Sequence, residues 1–137
     1  MAHVKALIYV LAALLLAGCQ PSPQSLETRV QTIELSYIAW ACDCANWATS
    51  EDINRYADNY GDSLAQLCIF VEPGESSLVL PDTIGYNNDL VRFTGSFYEK
   101  AGFPKGYRSE EHADKGRVFR YTKFEVVKSN YRSAKVR

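Results

Sequence analysis

Residues 91–98 read Val-Arg-Phe-Thr-Gly-Ser-Phe-Tyr, and this stretch decides the fold class. The apolar side chains of Val91, Phe93 and Phe97 alternate with polar ones, which is the period of a strand that buries one face. Gly95 takes an inward position, where a missing side chain favours a bulge or a sharp bend. The stretch therefore predicts a strand in a strongly curved sheet.

Other strands are predicted on both sides of this one. They are Arg29 to Trp40, Leu67 to Glu72, Ser77 to Leu80 and Arg117 to Val127. Pro73-Gly74-Glu75 is expected to make a turn, so the second and third strands would form a hairpin. The alternation of the last strand changes phase near Thr122, which indicates another bulge. Residues 101–116 carry three glycines and Pro104 without periodicity, which is typical of a long exposed loop.

One short helix is predicted to begin at Thr49 or Ser50. The residues spaced to form its apolar face are Ile53, Tyr56, Ala57 and Tyr60, and Gly61 suits the position after the helix. Five bent strands and one short helix predict a mainly β protein with a small five-stranded barrel. Residues 91–95 resemble the penultimate strand of OB-fold domains, although the OB helix normally joins strands three and four. Other α+β sheets remain an alternative.

The first 19 residues carry a targeting signal. Lys5 supplies a basic start, and an uninterrupted apolar run over residues 6–17 ends in Leu16-Ala17-Gly18-Cys19. As a helix the run would be about 18 Å long, too short for a hydrocarbon core of roughly 30 Å. The segment resembles the type II signal peptide and lipobox of bacterial lipoproteins. That resemblance implies removal of residues 1–18 and lipidation of Cys19, including palmitate; an ordinary signal peptide or a membrane anchor is the alternative.

The resemblance also implies a location in the cell envelope. Two or three acyl chains on Cys19 bind a membrane firmly, whereas one chain binds only marginally. An Asp after the cysteine retains lipoproteins of enteric type in the inner membrane, so Gln20 implies the outer membrane. Residues 19–27 are expected to form the lipidated tether, 28–128 the β-rich domain and 129–137 a basic tail that frays.

Charge is divided between the two halves of the chain. Residues 19–90 carry a net charge of -9, and residues 91–137 carry +7. Acidic and basic strands could lie side by side and neutralise one another. Alternatively, the basic residues form a face for an anionic ligand. The candidates for such a binding surface are Arg92, Arg117, Arg120 and Lys123.

The cysteines are the most unusual feature of the chain. Cys42 and Cys44 lie between Trp40 and Trp47, and Cys68 falls on the next predicted strand. The oxidising space outside the inner membrane favours a disulfide. If Cys42 and Cys44 continued a strand, they would lie roughly 6.5 Å apart, near the limit for a disulfide, so Cys68 is expected to pair with one of them. The alternatives are a Cu(I) or Zn²⁺ site built from the three thiolates and a redox-active or partner-linking cysteine.

No other chemistry stands out in the sequence. His112 is a lone loop histidine beside Glu110 and Glu111, and the chain lacks a nucleophile elbow, a phosphate loop and a metalloprotease helix. We therefore expect no enzymatic activity and no cofactor. The aromatic residues of the predicted strands either fill the core or form a stacking platform of the kind seen in nucleic-acid-binding OB-folds; they are Phe93, Phe97, Tyr98, Phe119 and Tyr121. Export argues against a nucleic-acid partner.

The sequence therefore indicates a membrane-anchored envelope lipoprotein that acts as a non-enzymatic binding or structural module. Its expected partners are the lipid membrane, through acylated Cys19, and an anionic ligand or another envelope protein. The alternative is a metal- or thiol-handling lipoprotein that uses Cys42, Cys44 and Cys68.

Overall fold

The computed structural model describes residues 24–56 and 61–132. The predicted signal peptide and the lipobox with Cys19 lie outside the described residues, as does the end of the predicted basic tail. The elements in chain order are β1 (Gln31–Tyr37), β2 (Trp47–Ala48), α1 (Ser50–Arg55), α2 (Asp62–Leu67), β3 (Ile69–Pro73), a 3-10 turn (Ser76–Leu78), β4 (Leu90–Phe97) and β5 (Arg117–Lys128).

The strands form a closed barrel in the order β1-β2-β3-β5-β4, which confirms the mainly β, OB-like prediction. β1 closes the barrel by pairing antiparallel with β4, from Gln31 opposite Gly95 to Ser36 opposite Leu90. β3 and β5 run parallel, and the remaining neighbours are antiparallel. Closure leaves the paired strands without a continuous free edge.

The barrel core is built from the inward faces of the strands. The buried residues of this cluster are Leu35, Trp47, Ile69, Val91, Phe93, Phe97, Phe119 and Tyr121. Phe93 contacts Trp47 and Tyr121, with ring centroids 5.3 and 4.9 Å apart, and Phe97 contacts Phe119 at 4.9 Å. Four of the five aromatic residues considered for a stacking platform are therefore core residues, which excludes them from contact with a ligand.

The predicted bulge lies where β4 meets β5. Thr94 is opposite Lys123 and Gly95 is opposite Tyr121, so Thr122 is the extra residue. A Cβ on Gly95 would collide with the backbone carbonyl oxygen of Arg120. Only glycine fits this close approach, so both sequence signals, the inward glycine and the phase change near Thr122, are confirmed.

The predicted hairpin and its strand from Ser77 to Leu80 are wrong. The chain instead makes the 3-10 turn at Ser76–Leu78, and Leu78, Leu80 and Ile84 pack against the barrel core. The Tyr121 hydroxyl donates a hydrogen bond to the Leu78 carbonyl oxygen over 2.8 Å. These apolar residues cover the core as a plug. A short apolar run after a turn does not distinguish a paired strand from a loop that packs on a barrel.

The missing strand is β2, which consists of two buried residues, Trp47 and Ala48. It pairs with Tyr37 and Ser36 of β1 on one side and with Ile69 of β3 on the other. No period can be read from two residues, so β2 has no recognisable strand pattern in the sequence. The prediction of five strands is correct, although β2 takes the place of the expected Ser77–Leu80 strand.

The first helix begins as expected, and a second one follows it. Thr49 caps α1 by accepting a hydrogen bond from the Asp52 N–H over 3.1 Å. Ala57 and Tyr60, predicted for the same helix, lie outside the described residues. Gly61 is the N-cap of α2 instead of the residue after α1, and α2 includes Leu67, which had been predicted to open a strand. Neither helix, nor any other among the described residues, is long and apolar enough to cross a membrane.

Both ends of the domain are tied into the barrel. The Glu27 N–H donates to the Phe97 carbonyl oxygen and the Glu99 N–H to that of Ser25, so the last residues of the predicted tether already pair with the chain around the end of β4. After β5, the Ser129 hydroxyl donates to the Thr83 carbonyl oxygen. The first residues of the predicted fraying tail are therefore ordered by hydrogen bonds.

Candidate functional site

Cys42 and Cys44 form the disulfide, and Cys68 is free and buried. The expected bond from Cys68 to Cys42 or Cys44 is wrong. The expectation assumed that β1 continues through both cysteines, but the chain bends at 41–44, which brings the two Cα atoms to 5.3 Å. Because the bond joins residues only two apart, the chain-entropy model gives it roughly 1.5 kcal/mol, about half the value for a loop reaching Cys68.

Cys68 lies behind this disulfide, against α1 and α2. It lines a cavity of about 370 Å³ together with Cys44, Asp62 and Lys115. Burial raises the pKa of the Cys68 thiol, and the negative charge of Asp52 raises this pKa further. The nearby Trp40 indole acts in the opposite direction, although its N–H forms no well-directed hydrogen bond within the described residues. The disulfide removes two thiolates from any metal site, and no cluster of metal-binding side chains occurs among residues 24–56 and 61–132.

Two connections of the barrel stand side by side next to the disulfide. We call residues 38–46, between β1 and β2, the disulfide loop, and residues 98–116, between β4 and β5, the long loop. A cleft of about 430 Å³ is lined by residues of both loops and of the adjoining strands, among them Tyr37, Trp40, Cys42, Asn46, Phe70, Tyr107 and Arg108. In OB-folds, ligands bind to the face of strands two and three and to these same two loops.

The long loop is fastened to the barrel by a buried carboxylate. Glu72 of β3 is 6% exposed and accepts hydrogen bonds from the Tyr98 hydroxyl and the Lys105 backbone N–H, both over 2.7 Å. Arg120 Nε lies 3.9 Å from the same carboxylate, so the buried charge has a cationic neighbour. Burial and then the hydrogen bond to Glu72 raise the pKa of Tyr98 to about 12. The contacts fix both the start and the middle of the long loop.

An aromatic cluster supports the long-loop side of the cleft. Phe103 and Tyr107 stack with ring centroids 4.6 Å apart and planes 9° apart. Phe70 of β3 meets the Phe103 ring edge-on at 5.9 Å and that of Tyr107 at 5.5 Å. Since Phe70 is buried, this cluster anchors Tyr107 while leaving part of its side chain accessible at the cleft.

The charge around the cleft is mainly acidic. A neighbouring cavity of about 630 Å³ shares Asp43 and Arg108 with the cleft and adds Ser109, Glu110 and Glu111. Three carboxylates therefore surround one guanidinium. Such a surface repels a phosphodiester chain, whose binding depends on neutralising phosphates with basic side chains. His112 follows these residues and is exposed, as expected for a loop histidine.

Three of the four basic residues proposed as a binding surface contact other residues of the barrel through ion pairs, a hydrogen bond or an aromatic ring. Arg92 on β4 bonds Glu34 of β1 through Nε and Glu125 of β5 through one terminal nitrogen, both over 2.8 Å. The pair with Glu34 joins the basic half of the chain to the acidic half, as the first interpretation of the charge division expects. Both pairs are exposed to solvent, which screens them, so each contributes little to the stability of the barrel.

The other three basic residues have separate environments. Arg120 donates to the Gly74 carbonyl oxygen over 2.9 Å, next to Glu72. The Arg117 guanidinium lies over the Phe97 ring, 3.7 Å from its centroid, in a cation–π contact. Lys123 is exposed and lies opposite Thr94. Among the residues that the structure describes, Lys123 is the one of these four whose side chain has neither an ion pair nor an aromatic contact.

Sequence reasoning missed the residues that form the cleft, apart from the cysteines and Trp40. Tyr107 and Arg108 lie in a segment without periodicity, and such a segment does not reveal which of its side chains pack on the barrel. Asp43 had one usable signal, its position between two cysteines. A comparison with known proteins finds no family model, no curated protein and no solved structure that matches this chain, so the cleft must be interpreted from its own chemistry.

Proposed function

We propose that this protein is a membrane-anchored envelope lipoprotein whose barrel is a non-enzymatic binding module, and that its ligand occupies the cleft between the disulfide loop and the long loop. The observation that carries the proposal is the position of the cleft. It lies at the loops with which OB-like barrels bind their ligands, and aromatic and polar side chains meet there.

The chemistry of the cleft favours a saccharide chain. The rings of Trp40 and Tyr107 can stack on sugar rings, while Asn46, Asp43 and Arg108 supply donors and acceptors for hydroxyl and amide groups. The acidic surroundings oppose nucleic acid and other polyanions. Saccharides without net negative charge satisfy both conditions, and polysaccharide is abundant in the bacterial envelope.

Attachment through Cys19 would keep the domain close to a membrane. The described chain pairs with the barrel from Ser25 onward, so five residues lie between the lipidated cysteine and the domain, and six Cα-to-Cα steps join Cys19 to Ser25. At about 3.3–3.6 Å per extended residue, the tether reaches roughly 20 Å. Replacing Cys19 by Ser should abolish labelling by a radioactive fatty acid and leave the precursor unprocessed. Label retained on the Cys19→Ser variant would contradict the lipobox interpretation.

Calorimetric titration with an oligomer of β-1,4-linked N-acetylglucosamine tests the saccharide proposal. We expect saturable binding that weakens about tenfold in Tyr107→Ala, because the variant lacks the ring on which a sugar would pack, and a tenfold change corresponds to about 1.4 kcal/mol. Tyr86→Ala is the matched control, since Tyr86 is an exposed tyrosine in another loop.

Two outcomes would contradict this ligand class. One is no heat of binding at millimolar oligomer. The other is tighter binding of a single-stranded oligonucleotide than of the saccharide at physiological salt, which would show that the acidic surroundings do not govern ligand choice.

A further inference from the structure

Asp43 connects the disulfide loop to the long loop. Its carbonyl oxygen accepts a hydrogen bond from the Tyr107 hydroxyl over 2.6 Å, and its Oδ2 accepts one from the Ser109 hydroxyl over 3.1 Å. Its backbone N–H donates to Glu111 Oε2 over 3.4 Å. Within the part of the chain that the structure describes, every hydrogen bond between the two loops involves Asp43.

The disulfide holds the backbone on both sides of Asp43. Residues 41–44 form bends and pair with no strand. The base of the loop is held by the Ile38 N–H, which donates to the Asn46 carbonyl oxygen over 2.8 Å. At the tip, the Cys42–Cys44 bond is the covalent constraint that limits the positions available to the single residue it encloses.

The same bond can be reached from solvent. Cys42 is exposed, Cys44 is partly exposed, and both line the cleft. The bond also contributes little to global stability, because it closes a very short loop. An accessible disulfide that is not required to hold the fold together is suited to exchange with thiols, which attack a disulfide sulfur directly.

We propose that Cys42–Cys44 is an exchange site for a dithiol, and that its redox state controls whether the long loop is latched to the disulfide loop. One thiolate of the dithiol attacks Cys42 Sγ, which forms a mixed disulfide and releases Cys44 as a thiolate that takes up a proton. The second thiol of the partner then attacks the partner's own sulfur in the mixed disulfide. Cys42 is released as a thiol, and the partner leaves as a disulfide after giving two electrons to the protein.

Reduction frees the backbone around Asp43, and the three hydrogen bonds to the long loop weaken together. The long loop stays attached to the barrel through Glu72, so opening is confined to the cleft side. The exchange and the loop release stand independently of the ligand. Their consequence, a lower affinity of the reduced protein for the saccharide, is the one part that rests on the proposed function.

Limited trypsin digestion of the full-length protein measures this release, because Arg108 is an exposed trypsin site in the long loop next to Tyr107. We expect dithiothreitol, used as the dithiol, to increase cleavage after Arg108 at least fivefold. Arg92 and Arg120 lie in β4 and β5 and serve as internal controls whose cleavage stays slow. Alkylation and mass spectrometry of the peptide 30–55, which contains both cysteines, report the reduction itself.

Three variants separate the parts of the proposal. Cys42→Ser with Cys44→Ser should be cleaved rapidly after Arg108 without reductant. Asp43→Ala, with its disulfide intact, should show a smaller increase in cleavage than the double serine variant, since it loses the bond from Ser109 but keeps the backbone hydrogen bonds to Tyr107 and Glu111. Cys68→Ser should behave as the wild type, which excludes an effect of the buried thiol in the adjoining cavity.

Each contrary result overturns a stated step. A disulfide that resists dithiothreitol in the folded protein would refute exchange, and complete reduction with unchanged cleavage after Arg108 would refute the latch. Equal acceleration at Arg92 and Arg120 would show that the bond stabilises the whole barrel. Failure of the saccharide to bind contradicts the proposed function and leaves the digestion result unaffected.

Discussion

Asp89 is a fully buried carboxylate that joins two distant segments of the chain. Its Oδ2 accepts hydrogen bonds from the backbone N–H groups of Gly85, over 2.9 Å, and Tyr86, over 2.8 Å. Its Oδ1 accepts one from the Asn130 N–H over 2.6 Å. One side chain therefore binds both the loop that precedes β4 and the segment that follows β5.

Replacing Asp89 by Ala should strongly destabilise the barrel. A hydrogen bond to a charged group contributes roughly 1.5–3 kcal/mol, and three donors lose their acceptor. The loop around Gly85 is partly open to water, which recovers some of this loss. We expect the free energy of unfolding to fall by about 3–5 kcal/mol, a large share of the 5–15 kcal/mol typical of a domain. Urea denaturation followed by circular dichroism measures the change.

The same site predicts a pH dependence. Burial alone would raise the pKa of Asp89, but hydrogen bonds from Asn130, Tyr86 and Gly85 and the charge of Lys128 outweigh it, so the pKa is lowered. A lowered folded-state pKa gives stabilisation that is present above the unfolded value of about 3.9 and is lost as pH falls through the folded one. Asp89→Asn, similar in size, should show a flatter decline below pH 4. The reasoning fails if Asp89→Ala costs less than about 1 kcal/mol, or if Asp89→Asn keeps the wild-type pH profile.

Two other predictions concern the barrel interior. Gly95→Ala should cost about 1–3 kcal/mol or more in urea denaturation, because its Cβ meets backbone atoms of β5 that cannot rotate away; an effect no larger than that of Thr94→Ala would contradict this. Burial raises the pKa of Tyr121 to about 12, and the pKa of Tyr98 is raised to a similar value. The unfolded chain loses these protons near pH 10, so the stability present below about pH 10 should be lost as pH rises through 12. Tyr121→Phe should lose less stability over this interval than the wild type, and an unchanged alkaline decline would remove Tyr121 as its source.

The strands that could be predicted were those with a readable period. Residues 91–97 and 117–127 alternate over enough positions to indicate their buried faces and the bulge where they pair, and the structure confirms the faces and the bulge. β2 was missed because Trp47 and Ala48 are too few to show a period. The segment from Ser77 to Leu80 was predicted as a strand because it follows a turn at Pro73-Gly74-Glu75. Its apolar residues instead form a plug over the barrel core, and a short apolar run suits either structure.

The cysteine pairing shows why distance along a predicted strand is an unsafe guide to disulfides. A straight strand would hold Cys42 and Cys44 near the limit of bonding, whereas the observed bends bring their Cα atoms to 5.3 Å. Cys68, in contrast, is enclosed between the helices and β2, where its thiol is buried. A disulfide could be predicted from the cysteine content and the expected envelope location. Which cysteines pair depends on a local bend of the backbone that the sequence does not indicate.

The sequence by itself determined the β class of the domain, the bulge between β4 and β5 at Thr122, the start of the first helix and the lipobox-like segment ending at Cys19, which remains a prediction. These features depend on local chemistry, such as side-chain period, glycine, capping residues and an apolar run. Tertiary structure alone decided that the disulfide loop and the long loop meet, that Asp43 joins them, and that Tyr107 faces a cleft. Barrel closure brings together residues about 65 positions apart, and contacts at such separation arise from the packing of the whole chain instead of any local pattern.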